Sequence, residues 1–175
     1  MQKVKYLLAL ITLPILLSSF TIPKKEKIKW LTISELGQAY ANQPKPIIID
    51  VYTNWCGWCK VMDKETYGNE KVISYINQNY YAVKFNAETK DTVELAGKRY
   101  GFNTVYKANE LAVYLLFGQM GYPTTVLLSS IDAQPAPLSG YLKPAELEPP
   151  LKFFGDGVYK SSNFPDFMKS FVTNW

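Results

Sequence analysis

Residues 47–60 read IIIDVYTNWCGWCK, and this stretch predicts the centre of the fold. Its first part, residues 47–52, is mostly apolar and rich in β-branched side chains, which is typical of a strand buried on both faces of a sheet. Residues 57–67 continue with a helical pattern. Cys56 and Cys59 are therefore expected where a buried strand ends and a helix begins.

Cys56 and Cys59 are the only cysteines among 175 residues, and the chain contains no histidine. Two cysteines placed at random would show this spacing roughly one time in a hundred, so the spacing needs an explanation. A purely structural disulfide across so short a loop would contribute only about 2 kcal/mol. A zinc site needs more cysteine or histidine ligands, and c-type haem attachment needs a histidine where Lys60 stands. The pair therefore indicates a redox-active dithiol without a metal.

The composition is that of one globular domain, with 47% hydrophobic and 19% charged residues and a formal net charge of +4. At the N-terminus, two lysines precede an apolar run over residues 6–17, and two serines follow it. This order is typical of a secretory signal peptide. We assign residues 1–20 to the signal, 21–30 to a linker and 31–175 to the domain. An uncleaved N-terminal anchor is the alternative.

Export changes the interpretation of the cysteine pair, because disulfides persist outside the cytosol. An exported domain whose only cysteines form one CxxC pair is suited to act on the disulfides of other proteins. The chain has no dinucleotide-binding fingerprint, so we expect no cofactor and a protein as electron donor, for which a membrane thiol transporter is the candidate. No basic patch indicates nucleic-acid binding. Nothing in the sequence requires more than a monomer.

Strands and helices alternate along the chain, which predicts an α/β fold with helices on both faces of a central sheet. Residues 32–40 predict a helix with Ser34 as N-cap. A helix is also predicted over 109–117, where a buried strand is the alternative. The remaining predictions are strands at 80–85, 124–128 and 138–142 and helices at 70–77, 92–100, 145–154 and 165–172. The aromatic residues expected in the core near the second half of the sheet are Tyr106, Tyr114 and Phe117.

Two segments carry a resemblance to a known family. Residues 49–60 resemble the active-site segment of thioredoxin-fold proteins, and residues 121–124 (GYPT) resemble the cis-proline loop of that family. The continuation over 62–72 is similar to exported thioredoxin-like reductases, including the C-terminal domain of the transmembrane thiol:disulfide interchange protein. The resemblance implies a thioredoxin fold with a central mixed sheet flanked by helices. The chain departs from the family in residues 103–120, which are longer than the usual link into the proline turn, and we expect a helical insertion there and an extra C-terminal helix.

Four residues are expected to carry the chemistry. Cys56 lies at a helix N-terminus, which favours a thiolate, and is the expected attacking group. Cys59 would resolve the mixed disulfide. An aspartate within an apolar strand is costly unless it is paired or protonated. The resemblance implies that Asp50 lies beneath Cys59 and accepts its proton, with Lys84 nearby; the alternative is that both face solvent at a strand end.

Five further residues are expected to bind substrate. The resemblance implies that Pro123 is cis and faces the dithiol, which leaves the Tyr122 backbone free to pair with an extended chain. An ordinary turn proline is the alternative. Trp55 and Trp58 would form an apolar rim with Tyr122 around the attacking thiol, with Gly57 between the two tryptophans.

The resemblance implies a periplasmic, bacterial thiol-disulfide oxidoreductase that reduces protein disulfides. Trp58 stands where the commonest reductases of the family carry proline, and this position influences their reduction potential. Disulfide oxidation or isomerisation is therefore an alternative direction. A peptide-binding or chaperone-like module without turnover is a second alternative, although such a module would not need the resolving thiol of Cys59.

Overall fold

The computed structural model describes residues 26–175, so the predicted signal peptide and the first part of the predicted linker lie outside the described residues. The strands are β1 (Trp30–Leu31), β2 (Ile47–Tyr52), β3 (Tyr81–Asn86), β4 (Val93–Leu95), β5 (Lys98–Tyr100), β6 (Phe102–Asn103), β7 (Ala108–Asn109), β8 (Thr124–Leu128) and β9 (Ala136–Ser139). The helices are α1 (Ile33–Asn42), α2 (Gly57–Glu65), α3 (Glu70–Asn79), α4 (Glu110–Leu115), α5 (Pro144–Gly155) and α6 (Phe164–Ser170), with a 3₁₀ turn at Val158–Lys160.

A five-stranded sheet in the order β1-β3-β2-β8-β9 forms the centre of the domain. Strands β1 and β2 run parallel to β3, whereas β8 runs antiparallel to β2 and β9 antiparallel to β8. The sheet is therefore mixed, as expected. No helix within residues 26–175 is both long and apolar enough to cross a membrane.

Strand β2 is the central strand and is buried on both faces, which confirms the prediction for residues 47–52. Ile47, Ile49 and Val51 belong to an apolar cluster that includes side chains of α1 and α4. Ile48 belongs to a second cluster with side chains of α2, α3 and α5. Because side chains alternate along a strand, Asp50 shares the face of Ile48 and points toward the layer that contains α2.

Helix α1 begins earlier than its predicted cap implies. Thr32, not Ser34, is the N-cap: its hydroxyl accepts the Glu35 N–H, and the Glu35 carboxylate accepts the Thr32 N–H. This reciprocal pair satisfies two donors at the helix start. Ser34 has no glutamate or glutamine three residues later to complete such a pair, and it lies inside the helix.

The helix predicted over residues 92–100 is wrong, because this segment is the β4–β5 hairpin. Its two-residue turn consists of Ala96 and Gly97, both with left-handed backbone conformations at φ 52° and 75°. Two such residues in succession match the turn that hairpins favour. Leu95 of β4 and Tyr100 of β5 are both buried. The segment before the cis-proline loop thus holds two hairpins, β4–β5 and β6–β7, and then α4.

Helix α4 confirms the predicted helix, with the side chain of Asn109 accepting the Leu111 N–H as its cap. The expectation of a core position is wrong for Tyr106 and Phe117, which are 46% and 57% exposed. Tyr106 lies in the β6–β7 turn, and Phe117 adopts a left-handed conformation where α4 ends. Tyr114 packs at the margin of the core.

Strand β9 begins earlier than predicted and includes Pro137. This strand is the edge of the sheet and pairs with β8 alone, so a residue without an N–H is tolerated there. The extra C-terminal helix is α6. At the other end of the domain, the last part of the predicted linker packs on the fold, since Ile28 is buried in the second apolar cluster.

Candidate active site

The dithiol lies at the start of α2, directly after β2 and a short turn. Cys56 is the N-cap of the helix, and its Sγ accepts the Cys59 N–H at 3.0 Å. The two cysteines form a disulfide, with Cα atoms 5.4 Å apart. Each cysteine is only 4% exposed. Helix N-termini stabilise negative charge, so a reduced Cys56 at this position favours the thiolate.

Asp50 is buried and paired with a lysine on the neighbouring strand. It is 1% exposed, and Lys84 Nζ lies 3.0 Å from Asp50 Oδ2. The register of β2 and β3 sets these two residues side by side. Asp50 Oδ1 has no hydrogen-bond donor within residues 26–175. The expectation that Asp50 and Lys84 lie together is met, and the alternative of a solvent-facing Asp50 is wrong.

Lys84 also forms an ion pair with Asp63 of α2, a residue that the sequence analysis missed. A signal for it existed: Asp63 follows Cys59 by four residues, and residues at this spacing share one face of a helix. Because Cys59 is buried toward the sheet, the same face carries Asp63 toward the Asp50–Lys84 pair. The lysine thus joins a buried and a half-exposed carboxylate.

Burial and the neighbouring charges shift the pKa values of Asp50 and Lys84. Burial raises the pKa of Asp50 to about 6, although the Lys84 ammonium opposes the shift and Asp63 adds to it. Burial lowers the pKa of Lys84, but the carboxylates of Asp50 and Asp63 outweigh that effect and raise it above its ordinary value. A pKa perturbed by burial and a specific charge partner marks Asp50 as a candidate for proton transfer.

A cleft of about 510 Å³ reaches this group from the surface, and Asp63, Lys84, Trp30 and Tyr67 are among the residues that line it. The Lys84 ammonium lies over the rings of Trp30 and Tyr67, at 5.1 and 5.9 Å from their centroids. The Tyr67 hydroxyl is hydrogen-bonded to Thr125, which faces Asp50 across the β2–β8 pair. The cleft brings solvent to Lys84 and not directly to Asp50.

The Tyr122–Pro123 peptide bond is cis, as the resemblance implies. The Pro123 carbonyl accepts the Gly140 N–H at 2.8 Å, which ties the cis-proline loop to the turn after β9. Within the described residues, no backbone hydrogen bond outside the strands and helices engages Tyr122.

Two exposed tryptophans lie beside the cysteines, Trp55 just before Cys56 and Trp58 just before Cys59, and each contacts other side chains. Trp55 is 68% exposed; its indole N–H donates to Glu88 Oε1 at 3.0 Å, and its ring meets Tyr122 edge to face at 5.9 Å. Trp58 is 60% exposed and stacks on Tyr141 at 5.7 Å. Nothing in the sequence pattern pointed to Glu88 or Tyr141.

Gly57 lies between the tryptophans as the first residue of α2. A Cβ at this position would meet no atom within 4 Å, so the fold does not demand glycine there. Its predicted role in substrate binding stays a prediction. Of the other predicted residues, the structure brings Trp55 of the β2–α2 junction against Tyr122 of the cis-proline loop, and pairs Asp50 of β2 with Lys84 of β3.

Residues 17–154 match the family Thioredox_DsbH, described as a protein of unknown function (DUF255). The chain belongs to this family. The match includes the cysteine pair, Asp50, Lys84 and the cis-proline loop. With its CxxC disulfide, this Thioredox_DsbH protein is a member of the thioredoxin superfamily of thiol-disulfide oxidoreductases.

Curated relatives agree with this assignment. The chain is 30% identical over 110 residues to uncharacterized protein B0495.5 of Caenorhabditis elegans, covering 63% of this chain and 13% of that protein. It is 33% identical over 46 residues to the thiol:disulfide interchange protein DsbD of Pectobacterium atrosepticum, covering 26% of this chain and 8% of DsbD. It is 27% identical over 86 residues to thioredoxin-like protein slr0233 of Synechocystis, covering 49% of this chain and 70% of that protein. The Thioredox_DsbH protein thus spans a small part of the first two relatives.

Solved structures show the same fold. A DsbH oxidoreductase superposes with a TM-score of 0.53 at 16% identity, covering 78% of this chain and 90% of that one. Thioredoxin from Thermus thermophilus gives a TM-score of 0.50 at 17% identity, covering 72% and 85%. The architecture is therefore the thioredoxin fold that the sequence predicted.

Proposed function

We propose that this Thioredox_DsbH protein is an exported enzyme that reduces the disulfides of other proteins. One observation carries the proposal: a buried carboxyl with its pKa raised to about 6 lies on the face of β2 toward α2, the helix that carries both cysteines. A disulfide that served only to staple the chain would need no proton acceptor nearby. A dithiol that opens and closes must release and take up protons in each cycle.

In the reductive direction, the Cys56 thiolate attacks one sulfur of the client disulfide. The client S–S bond breaks, a Cys56–client disulfide forms, and the first client thiolate takes a proton. Cys59 then gives its proton to Asp50 and attacks Cys56, which breaks the mixed disulfide and releases the second client thiolate. The dithiol loses two electrons and two protons, and the protein ends in its disulfide form.

Lys84 and Asp63 support the proton step as positioning residues. The Lys84 ammonium contacts Asp50 Oδ2 and lines the cleft. Only the Lys84 side chain therefore separates a proton on Asp50 from solvent. Burial favours the protonated carboxyl, whereas Lys84 favours the carboxylate. This opposition leaves the pKa close to the pH at which the enzyme works, where a general base is most effective.

Client binding is assigned to the surface around Cys56. The free backbone groups of Tyr122 would pair with an extended client segment, in the manner of an added strand. Trp55 and Trp58 would contact the client side chains beside the disulfide. Such contacts suit a protein or peptide client, because the surface is open and apolar rather than a closed pocket.

The partner and location follow from the same sequence features. The apolar run at residues 6–17 supports export to a bacterial periplasm. Without a nucleotide-binding fingerprint, the oxidised pair needs a protein donor for its re-reduction, and a membrane thiol transporter fits an exported enzyme. We propose that the enzyme acts as a monomer without a bound cofactor.

The reduction potential of the Cys56–Cys59 pair tests the direction. The protein is equilibrated in glutathione buffers, and the dithiol fraction is measured by alkylation and mass spectrometry. A potential near that of thioredoxin, about −270 mV, supports a reductase, whereas one near about −120 mV would make the protein an oxidant.

Substitution of Cys59 tests the mechanism independently of the potential. In Cys59→Ser, the mixed disulfide has no resolving thiol, so client proteins are expected to accumulate on Cys56 as adducts that dithiothreitol releases. Cys56→Ala is the matched control and should trap nothing. If Cys56→Ala reduced insulin as fast as the unaltered protein, the proposed role of Cys56 as the attacking thiol would fail. If the unaltered protein bound insulin without reducing it, the binding module would stand.

A further inference from the structure

Trp58 combines high exposure with a fixed position. Although it is 60% exposed, its ring stacks on Tyr141 with an interplanar angle of 29°. The Tyr141 hydroxyl in turn donates to Glu65 Oε2 at 2.6 Å, at the C-terminal end of α2, the helix whose first turn contains Trp58. An exposed aromatic side chain that is already ordered loses little conformational entropy when a partner binds.

The turn that carries Tyr141 is anchored at three points. The Gly140 N–H donates to the Pro123 carbonyl, Tyr141 binds Glu65, and the Thr66 hydroxyl donates to the Leu142 carbonyl. Gly140 has φ 91°, a conformation that a side chain would strain, and it turns the chain after β9. Residues 140–142 therefore bridge the cis-proline loop and α2.

Two aromatic pairs, here called walls, therefore lie beside the segment that carries the attacking cysteine. The first wall is Trp55 with Tyr122, and the second is Trp58 with Tyr141. Both tryptophans immediately flank the short segment that carries Cys56, which is itself only 4% exposed. Because Trp55 and Trp58 lie one and two residues from Cys56, a client that reaches this sulfur comes close to both walls.

The polar atoms of the walls are used inside the protein. The Trp55 indole N–H is bound to Glu88, and the Tyr141 hydroxyl is bound to Glu65. These two walls therefore present ring surfaces to a client and keep their bound donors away from it. Aromatic and large apolar side chains pack favourably on ring surfaces, and an aromatic pair contributes about 0.5–1.5 kcal/mol of binding free energy beyond that of the buried area.

We propose that Tyr141 is a specificity-determining residue, which with Trp58 forms the second wall of a binding surface for extended client segments whose disulfide cysteine is flanked by aromatic or large apolar side chains. This inference rests on the proposed reductase function and names the class of client. Tyr141 acts partly by holding Trp58 and partly by its own ring. The partner is a polypeptide, since only a chain extended across Cys56 reaches both walls.

The test compares two disulfide-linked peptide dimers in single turnover. One peptide has phenylalanine on each side of its cysteine, and the other has serine there; oxidised glutathione serves as the small substrate. The full chain is reduced with dithiothreitol and desalted, mixed with each substrate and quenched in acid. The second-order rate constant of peptide thiol release is measured by mass spectrometry.

We expect the unaltered protein to favour the phenylalanine peptide, and Tyr141→Ala to slow that peptide by about two- to tenfold. The serine peptide and glutathione should change less than about twofold, because they do not use the ring surfaces. Tyr141→Phe keeps the ring and should keep the preference. Tyr159→Ala, which removes a different aromatic pair with Phe154, is the matched control and should also keep it.

Equal slowing of both peptides by Tyr141→Ala, or an unchanged preference, would overturn the inference. If Tyr141→Ala failed to fold by circular dichroism, Trp58→Ala removes the same wall and must lose the same preference. An unaltered protein that reduced both peptides equally would contradict the inference alone. One that reduced neither the peptides nor glutathione would contradict the proposed function as well.

Discussion

Asp50 and Glu148 are two buried carboxylates with opposite surroundings. They are 1% and 0% exposed. Glu148 Oε2 accepts hydrogen bonds from the Thr173 hydroxyl and from two backbone N–H groups of the C-terminal tail. Glu148 Oε1 lies 2.8 Å from Lys152 Nζ. Asp50 has one partner, Lys84. One oxygen of each carboxylate, Asp50 Oδ1 and Glu148 Oε1, makes no hydrogen bond among the described residues, so the two differ in the three hydrogen bonds that Glu148 Oε2 accepts.

The difference in partners gives the two carboxyls opposite pKa shifts. For Asp50, burial outweighs its partners and raises the pKa to about 6. For Glu148, burial acts in the same direction, but the bonds from Lys152 and the tail outweigh it and lower the pKa. A buried carboxylate that accepts several hydrogen bonds is suited to hold the structure together, whereas one with a single partner is suited to exchange a proton. We therefore expect Glu148 to anchor the tail and Asp50 to be the proton acceptor of the proposed reaction.

The largest expected effect is on turnover. Asp50→Asn keeps the shape of the side chain but removes the proton acceptor, so insulin reduction at pH 7 should fall about a hundredfold, the lower end of general-base effects. Glu148→Gln, the same change at the other carboxylate, should leave turnover within about twofold. Similar losses in both variants would show that the comparison assigns the roles wrongly.

Stability should respond in the opposite way. Glu148→Gln weakens the ion pair with Lys152 and the hold on the tail, and we expect a loss of about 1–3 kcal/mol of unfolding free energy in urea at pH 7. The tail should also become accessible, because Trp175 packs on Tyr75 only while residues 173–175 are held. Carboxypeptidase digestion of the folded variant checks this. Resistance equal to that of the unaltered protein would contradict the anchoring role.

Much of the active site could be predicted from one segment. The apolar run of β2 makes Asp50 conspicuous, because an acid within such a strand is costly without a purpose. The spacing of Cys56 and Cys59 is enough by itself to indicate redox chemistry. Local pattern is sufficient here because the strand, the turn and the helix start follow one another directly.

The rest depends on contacts between distant parts of the chain. Tyr141 meets Glu65 across 76 residues, and Glu148 meets the tail across 25 to 27. Neither contact leaves a periodic signal. The β4–β5 hairpin was missed for a different reason: each of its strands is three residues long, too short for the alternation of a strand to stand out from a helical pattern.

A third prediction concerns stability and pH. Because the pKa of Asp50 is raised from 3.8 to about 6, its contribution to folding is fully present below pH 3.8 and is lost as the pH rises through about 6. Asp50→Asn has no such charge. It should be more stable than the unaltered protein at pH 8, by about 1–3 kcal/mol, and equal to it near pH 4.

For Glu148, we expect the opposite dependence of the unfolding free energy on pH. Its lowered pKa stabilises the fold above its ordinary value of 4.5, and this contribution is lost as the pH falls below that value. The stability deficit of Glu148→Gln relative to the unaltered protein should therefore shrink in acid. Urea unfolding at a series of pH values measures both trends. If the unfolding free energies of Asp50→Asn and Glu148→Gln changed with pH in the same way, the opposite pKa shifts assigned to the two carboxyls would be wrong.

The smallest expected effect comes from the lysine partners. Lys84 opposes the raised pKa of Asp50, and Asp63 adds to it, so Lys84→Met leaves Asp50 with a negative neighbour and without its lysine. The pKa of Asp50 should rise further, and the midpoint of the pH–rate profile should move up by about one unit. The profile of client reduction between about pH 5 and 9 measures it.

Lys152→Met is the matched control, because Lys152 pairs with the carboxylate that the reaction does not use. Its pH–rate midpoint should stay where it is, while its unfolding free energy falls. If Lys84→Met left the midpoint unchanged but lowered the rate at every pH, Lys84 would act by shaping the cleft rather than by tuning Asp50. The proton step would then pass through a group other than the Asp50 carboxyl. Removing the positive charge of Lys84 must shift the pKa of any base that contacts it.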